Sequence, residues 1–140
     1  MTETILVPID LSHAGAKVLD TAREMSERRG AEMILMTVLP SVPAVVDSFM
    51  PSNYQNDAVE KTRKAVEARL VEKGLAADAY KIVVKVGSAY DEVIKYAKDI
   101  RADLIVVGSH APKSAADYLL GSTAAKIVRH ATCSVFVVRS

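Results

Sequence analysis

Short runs of apolar residues alternate along this chain with longer stretches in which apolar positions recur every three or four residues. The runs contain four to seven residues with few polar interruptions, which is typical of strands buried on both faces of a parallel sheet. Five strands are predicted, over residues 5–9, 33–39, 80–86, 104–107 and 135–138. The third run alternates with Lys81 and Lys85, which indicates a solvated face or a sheet edge.

The periodic stretches predict four amphipathic helices between the strands. Their apolar stripes run over residues 15–25, 59–70, 90–100 and 120–131. Gly30 and Gly74 follow the first two stripes and are expected to end those helices. Ser88, with Asp91 three residues later, is a variant of the capping box and predicts the start of the third helix.

Residues 40–56 follow neither pattern and contain Pro40, Pro43 and Pro51, so we expect an irregular loop there. Outside this loop, strands and helices alternate. That order predicts an α/β fold with three layers, in which helices cover both faces of an open, parallel, five-stranded, Rossmann-like sheet. No repeat or linker interrupts the pattern, and we predict a single domain over residues 1–140.

The amino-acid composition limits the kinds of molecule that the protein is expected to bind. The chain has 140 residues, with 18 basic and 17 acidic side chains and a formal net charge of +1. Without a basic surplus, neither nucleic acid nor an anionic membrane is an expected partner. No apolar stretch approaches the roughly 20 residues that cross a bilayer. The single cysteine, Cys133, excludes an internal disulfide and a cysteine-based metal cluster, and we expect a cytoplasmic protein.

The candidate chemistry lies where the strands end. In open parallel sheets, ligands bind beyond the carboxyl ends of the strands, where the strand order reverses. Asp10 follows the first strand and Val38 lies at the end of the second. The turn over residues 10–15 lacks the glycine-rich dinucleotide fingerprint, and the chain contains no Walker A sequence.

The segment over residues 108–123 has the features of a phosphate site. Gly108 permits close approach of a ligand to the backbone, and Lys113 adds a mobile charge. Gly121, Ser122 and Thr123 open a helix and offer backbone N–H groups, two hydroxyls and the positive end of the helix dipole. The spacing alone leaves open a second interpretation, in which these residues merely start a helix.

At these residues the chain resembles the universal stress protein family. The nucleotide-binding members of that family carry Gly, two residues, Gly, nine residues, Gly, and then Ser or Thr. Gly108, Gly121 and Ser122 stand at matching positions, with nine residues between Ala111 and Gly121. The likeness extends to the opening Ile5-Leu6-Val7-Pro8-Ile9-Asp10, to Thr37-Val38, and to the closing Cys133-Ser134-Val135-Phe136-Val137-Val138-Arg139.

The resemblance implies strand order 3-2-1-4-5 and a module that binds ATP, with Mg²⁺, and responds to stress or energy state. It places Pro8 and Asp10 against the adenine and ribose, and the main chain of Val38 against the adenine. No Ser/His/Asp arrangement or set of metal ligands is found in the sequence. We therefore expect a binding protein without enzymatic turnover.

One position departs from the family pattern. Ala111 replaces the second glycine and Pro112 follows it, so Ala111 is expected to be extended. A positive φ there would cost alanine about 1 kcal/mol. A different loop path, with His110 or Lys113 reaching the phosphates, avoids that cost. The alternative is a dimeric stress protein that binds no nucleotide and acts through protein partners.

The resemblance also implies a homodimer through the fifth strand, Val135-Phe136-Val137-Val138, because the expected order places this apolar strand at an edge. A phosphoacceptor receiver domain is excluded. Asp10 has no acidic neighbour, the third strand ends at Val86-Gly87, and the fifth ends at Arg139 rather than lysine. His130 is interpreted as a residue that complements a helix dipole, and Cys133 as a packing residue.

Overall fold

A computed structural model describes residues 2–11, 13–109 and 120–139. His110 and Lys113, and with them Ala111 and Pro112, lie outside the described residues. In chain order the elements are β1 (Thr4–Pro8), α1 (His13–Arg29), β2 (Glu32–Leu39), α2 (Ala44–Asp47), α3 (Tyr54–Glu72), β3 (Lys81–Val86), α4 (Ala89–Asp99), β4 (Leu104–Gly108), α5 (Ser122–His130) and β5 (Ser134–Val138). In this part of the chain, no helix combines the length and apolar character needed to span a bilayer.

The five strands form one parallel sheet in the order β3-β2-β1-β4-β5. In the centre of the sheet, Ile5 of β1 pairs with Met33 on one side and Leu104 on the other. The predicted α/β class and strand order are confirmed. Of the two alternatives that the lysines of β3 indicated, the sheet edge is confirmed, since within the described residues β3 pairs with β2 alone.

Successive side chains of the strands point to opposite faces of the sheet and form part of two separate apolar cores, one on each face. Ile5 and Leu35 pack with Leu19 of α1 and Leu70 of α3 on one face. On the other face, Leu6 and Ile105 pack with Val93 of α4 and Ile127 of α5. Each of these side chains is at least nine-tenths buried, and burying one stabilises the fold by about 1.5–3 kcal/mol.

The segment over residues 40–56 contains more structure than the sequence pattern predicts. Pro43 is extended and caps the short helix α2, and the Asp47 N–H donates to its carbonyl over 2.9 Å. The Tyr54 hydroxyl, at the start of α3, donates to Asp47 Oδ1 over 2.6 Å. That hydrogen bond to a carboxylate raises the pKa of Tyr54. The prolines correctly indicated that this segment is not a strand, but Pro43 also precedes a short helix, which the sequence pattern did not predict.

The capping box predicted at Ser88 is wrong. Ser88 has the extended conformation of an N-cap residue, and α4 begins directly after it, but its side chain makes no capping hydrogen bond. The first turn of α4 instead contains Asp91 and Glu92. Their negative charges interact favourably with the positive end of the helix dipole, which stabilises this helix end without the capping contact.

Candidate functional site

A cavity of about 260 Å³ opens at the carboxyl ends of the central strands. It lies where β1 is flanked by β2 on one side and β4 on the other, which is the position where doubly wound sheets bind ligands. Six residues predicted from the sequence line it: Pro8, Asp10, Val38, Gly108, Ser122 and Thr123. Gly121 directly precedes α5 as its N-cap residue. The structure thus brings seven of the nine predicted residues to one place.

The main chain of Val38 presents a donor and an acceptor to this cavity. In a strand, alternate residues direct their N–H and C=O toward the same neighbour. The Met36 carbonyl accepts from the Ile9 N–H over 2.9 Å, so Val38, two residues later, also faces the β1 side. Pairing between β1 and β2 ends at Met36. Among the described residues, no backbone hydrogen bond reaches Val38 from that side.

Gly108 lines the cavity at the end of β4, and Ser109 follows it. A Cβ on Gly108 would lie 2.9 Å from Val18 Cγ2, so glycine allows α1 to pack directly on the strand end. Ser109 is buried, and its N–H donates to the Val138 carbonyl over 2.9 Å. Its carbonyl accepts from the Gly121 N–H over 2.7 Å. A hydrogen bond therefore joins the two residues, Ser109 and Gly121, that flank residues 110–120.

The N-terminus of α5 differs in one respect from the sequence expectation. Gly121 is extended, with φ −63° and ψ 158°, a conformation open to any residue. Its N–H already serves the Ser109 carbonyl, so it is not a free phosphate donor. The N–H groups of Ser122, Thr123 and Ala124 have no partner within the helix, by helix geometry. The donors at this end of the cavity thus begin at Ser122.

A positive charge, that of Lys17, lies near the carboxyl ends of β4 and β5. Lys17 Nζ of α1 donates to the Arg139 carbonyl over 2.5 Å. Arg139 follows Val138, which pairs with Gly108. The ammonium group therefore lies near the carboxyl ends of β4 and β5, where a positive charge favours an anionic ligand. The sequence pattern did not single out Lys17.

Other residues that shape the cavity were also missed. Thr37 is buried, and its hydroxyl donates to the Ile9 carbonyl over 3.3 Å. It is the one hydroxyl-bearing residue within β2, and a lone polar residue in an apolar strand could have indicated a role at the site. Met36, Val93 and Val107 supply apolar walls, but apolar strand and helix residues carry no sequence signal that separates lining from core.

Two residues weighed in the sequence analysis, Cys133 and His130, are not part of the cavity lining. Cys133 is half-buried, and that burial raises the pKa of its thiol, which agrees with a packing role rather than a reactive one. His130 lies in the last turn of α5, with its ring 6.3 Å from that of Tyr90. Among the described residues, no three His, Cys, Asp or Glu side chains are grouped as metal ligands.

Comparison with known proteins places this chain in a family. The family model described as "Universal stress protein family" matches residues 1–139. Universal stress protein YxiE of Bacillus subtilis is 28% identical over 151 residues, covering 99% of this chain and all of the relative.

Two solved structures show the same architecture over nearly the whole chain. Universal stress protein UspA from Lactobacillus plantarum superposes with a TM-score of 0.77 at 26% identity, over 98% of this chain and 97% of the other. A universal stress protein solved in complex with cAMP superposes with a TM-score of 0.63 at 25% identity, over 99% and 97%. The chain belongs to the universal stress protein family.

Proposed function

We propose that this protein binds ATP in the cavity at the carboxyl ends of β1, β2 and β4, and acts as a regulatory module that responds to stress or energy state. The observation that carries the proposal is the convergence of three kinds of group. A main-chain donor and acceptor, a carboxylate and a helix N-terminus line one cavity, in the order in which a nucleotide presents base, ribose and phosphates.

The base end suits adenine. Adenine presents an acceptor nitrogen beside its amino donor, and the N–H and C=O of Val38 supply the complementary pair. Met36, Val93 and Val107 form apolar walls for the flat ring. The solved relative in complex with cAMP supports an adenine ligand in a fold of this kind.

The sugar and phosphate ends also have suitable groups. The Asp10 carboxylate accepts hydrogen bonds from ribose hydroxyls. The phosphates lie against the N–H groups and hydroxyls of Ser122 and Thr123, at the positive end of the α5 dipole, and Lys17 supplies a nearby charge. Mg²⁺ would be held mainly by the phosphates, as is usual for nucleotide-bound magnesium.

We propose binding without turnover. Hydrolysis requires a base that orients and activates a water molecule at the terminal phosphate. Among the described lining residues, Asp10 is the one ionisable side chain, and the proposal assigns it to the ribose. The nucleotide then acts as a signal, and the protein's partners respond to its presence.

Isothermal titration with ATP and Mg²⁺ tests the proposal, with Gly121→Val as the blocking variant. Valine tolerates the extended conformation of Gly121, so the fold should remain while the branched side chain crowds the phosphates. We expect at least a tenfold loss of ATP affinity. Ala131→Val is the matched control, because Ala131 is also extended, with φ −65° and ψ 144°, at the opposite end of α5. Absence of wild-type binding at millimolar ATP would refute the proposal.

A second candidate function is a dimeric protein that binds no nucleotide and acts through protein partners. The observation that favours a dimer is the edge position of β5, on which Phe136 is 43% exposed. A wild-type protein that forms a dimer but gives no heat with ATP would favour this candidate over the first.

A further inference from the structure

The turn after β1 carries Asp10 to the cavity and is held from outside by two polar side chains. Thr37 of β2 donates to the Ile9 carbonyl over 3.3 Å. Arg69 Nη2 of α3 donates to the Leu11 carbonyl over 2.7 Å. Asp10 therefore lies between two residues whose carbonyls are each bound by another element.

The Arg69 contact joins parts of the chain that are far apart in sequence. Arg69 is 58 residues from Leu11, and its side chain is 26% exposed, compared with 72% for its helical neighbour Glu72. The Glu72 carboxylate is exposed and lies 3.9 Å from Arg69 Nε, so it adds little to the Leu11 hydrogen bond in holding the guanidinium. Ordering a long arginine side chain costs conformational entropy, which the short charged hydrogen bond offsets.

We propose that Arg69 is a positioning residue for Asp10, and that it makes recognition of the ribose depend on α3. This inference rests on the proposed function, because it assigns Asp10 to the ribose hydroxyls. A carboxylate discriminates between a hydroxyl and a hydrogen only when its oxygens are held within hydrogen-bond distance. Arg69 restricts the turn on the side of Asp10 that Thr37 does not reach.

The same helix provides a matched control. Arg63 Nη1 donates to the Ile82 carbonyl over 2.9 Å, so it too joins α3 to a main-chain carbonyl through a guanidinium. Ile82 lies near the start of β3, whereas the cavity lies at the carboxyl ends of the strands. Removing the Arg63 contact changes α3 packing but leaves the Asp10 turn untouched.

The variant Arg69→Met should remain folded. Leu11 is 38% exposed, so water can replace the guanidinium at its carbonyl, and the methionine side chain retains most of the apolar stem. Circular-dichroism melting checks this directly. Arg69→Lys keeps a positive donor on a long stem and is the conservative variant for rescue.

The test measures affinities for ATP, 2′-deoxy-ATP and 3′-deoxy-ATP. We expect the wild type to prefer ATP over at least one deoxy analogue by about tenfold, as one charged hydrogen bond provides. Asp10→Ala, which removes the acceptor, and Arg69→Met should each bring that ratio close to one, with little change in affinity for the deoxy analogue. The double variant should lose nothing further. Arg69→Lys should restore part of the ratio, and Arg63→Met should leave it unchanged.

The outcomes separate this inference from the function on which it rests. If Arg69→Met keeps the wild-type ratio, weakens all three nucleotides equally, or adds to the effect of Asp10→Ala, the positioning role is overturned while ATP binding stands. A wild type that binds ATP without preferring ribose overturns it as well. A wild type that binds no adenine nucleotide overturns the proposed function, and this inference with it.

Discussion

Gly15 of α1 lies directly against the turn after β1. A Cβ at this position would overlap the Asp10 carbonyl oxygen and lie 3.2 Å from Asp10 Oδ1. Gly15 also lines the cavity. A glycine inside a helix costs about 0.5–1 kcal/mol relative to alanine. Its presence here is explained by the space that Asp10 requires.

Two effects oppose each other in the variant Gly15→Ala. Helix propensity favours alanine by about 1 kcal/mol, whereas displacing a packed backbone costs about 1–3 kcal/mol. We expect the clash to prevail, with a net loss of about 1 kcal/mol of unfolding free energy and weaker ATP binding. Urea unfolding and calorimetric titration measure the two effects. A more stable variant with unchanged affinity would show that the Asp10 turn moves freely.

Site residues could be predicted when their position along a strand defined them, and could not when their role came from contacts with segments distant in sequence. Pro8, Asp10 and Val38 stand at strand ends, which hydrophobic patterning and family resemblance locate directly. The roles of Thr37, Ser109 and Arg69 come from hydrogen bonds to the Ile9, Gly121 and Leu11 segments. Such contacts depend on how elements pack, and no local pattern encodes them.

At the scale of elements, three helices end with the same hydrogen-bond pattern. The N–H of Ala31, Leu75 and Ala102 each donates to the carbonyl five residues earlier, which is the Schellman motif. The residue before each of these donors has a positive φ. Gly30 and Gly74 adopt it after α1 and α3, whereas Arg101, with φ 53°, adopts it after α4.

We expect Arg101→Gly to stabilise the protein by about 1 kcal/mol, because glycine adopts the left-handed conformation without the steric cost that arginine bears. Arg101 is exposed, so little packing is lost. Chemical denaturation measures the change. Gly30→Ala is the reciprocal control, since Gly30 has the same motif with φ 62° and an added Cβ would meet no other atom within 4 Å, and this variant should lose a similar amount of stability. Equal stability of Arg101→Gly and wild type would contradict this explanation.

Element types were predictable and their ends less so. The predicted strands agree with the observed ones within two residues, and Gly30 and Gly74 end their helices as expected. The end of α4 was not marked, because arginine carries no signal for a positive φ. Helix α2 was missed because three prolines within 12 residues obscure a single short turn.

At the scale of the whole molecule, the two edges of the sheet differ. On β3, Lys81 and Lys85 discourage another strand from pairing. On β5, Val135 and Val137 direct their backbone groups away from β4, because the Val138 carbonyl faces β4 through Ser109. Phe136 lies exposed beside them. We therefore expect a second copy to pair at β5 rather than at β3.

The variant Phe136→Lys should weaken self-association by at least tenfold, because a two-fold axis would bring the two lysines close together. Sedimentation equilibrium measures the dissociation constant. Phe49→Lys is the control, since Phe49 is the other phenylalanine of the chain and is 84% exposed in the segment between β2 and α3. A dimer weakened by Phe49→Lys, or unaffected by Phe136→Lys, would place the interface elsewhere.

The cavity touches helices from both faces of the sheet, Val18 of α1 on one side and Val93 of α4 on the other. A molecule bound there must be released before either layer can separate from the sheet. By mass action, free ligand at 100 times its dissociation constant adds about 2.7 kcal/mol to the free energy of unfolding. Proteases that act on the opened chain would then degrade the loaded form about a hundredfold more slowly. If the ligand is the proposed ATP, the lifetime of the protein before degradation would thus increase with the ATP concentration.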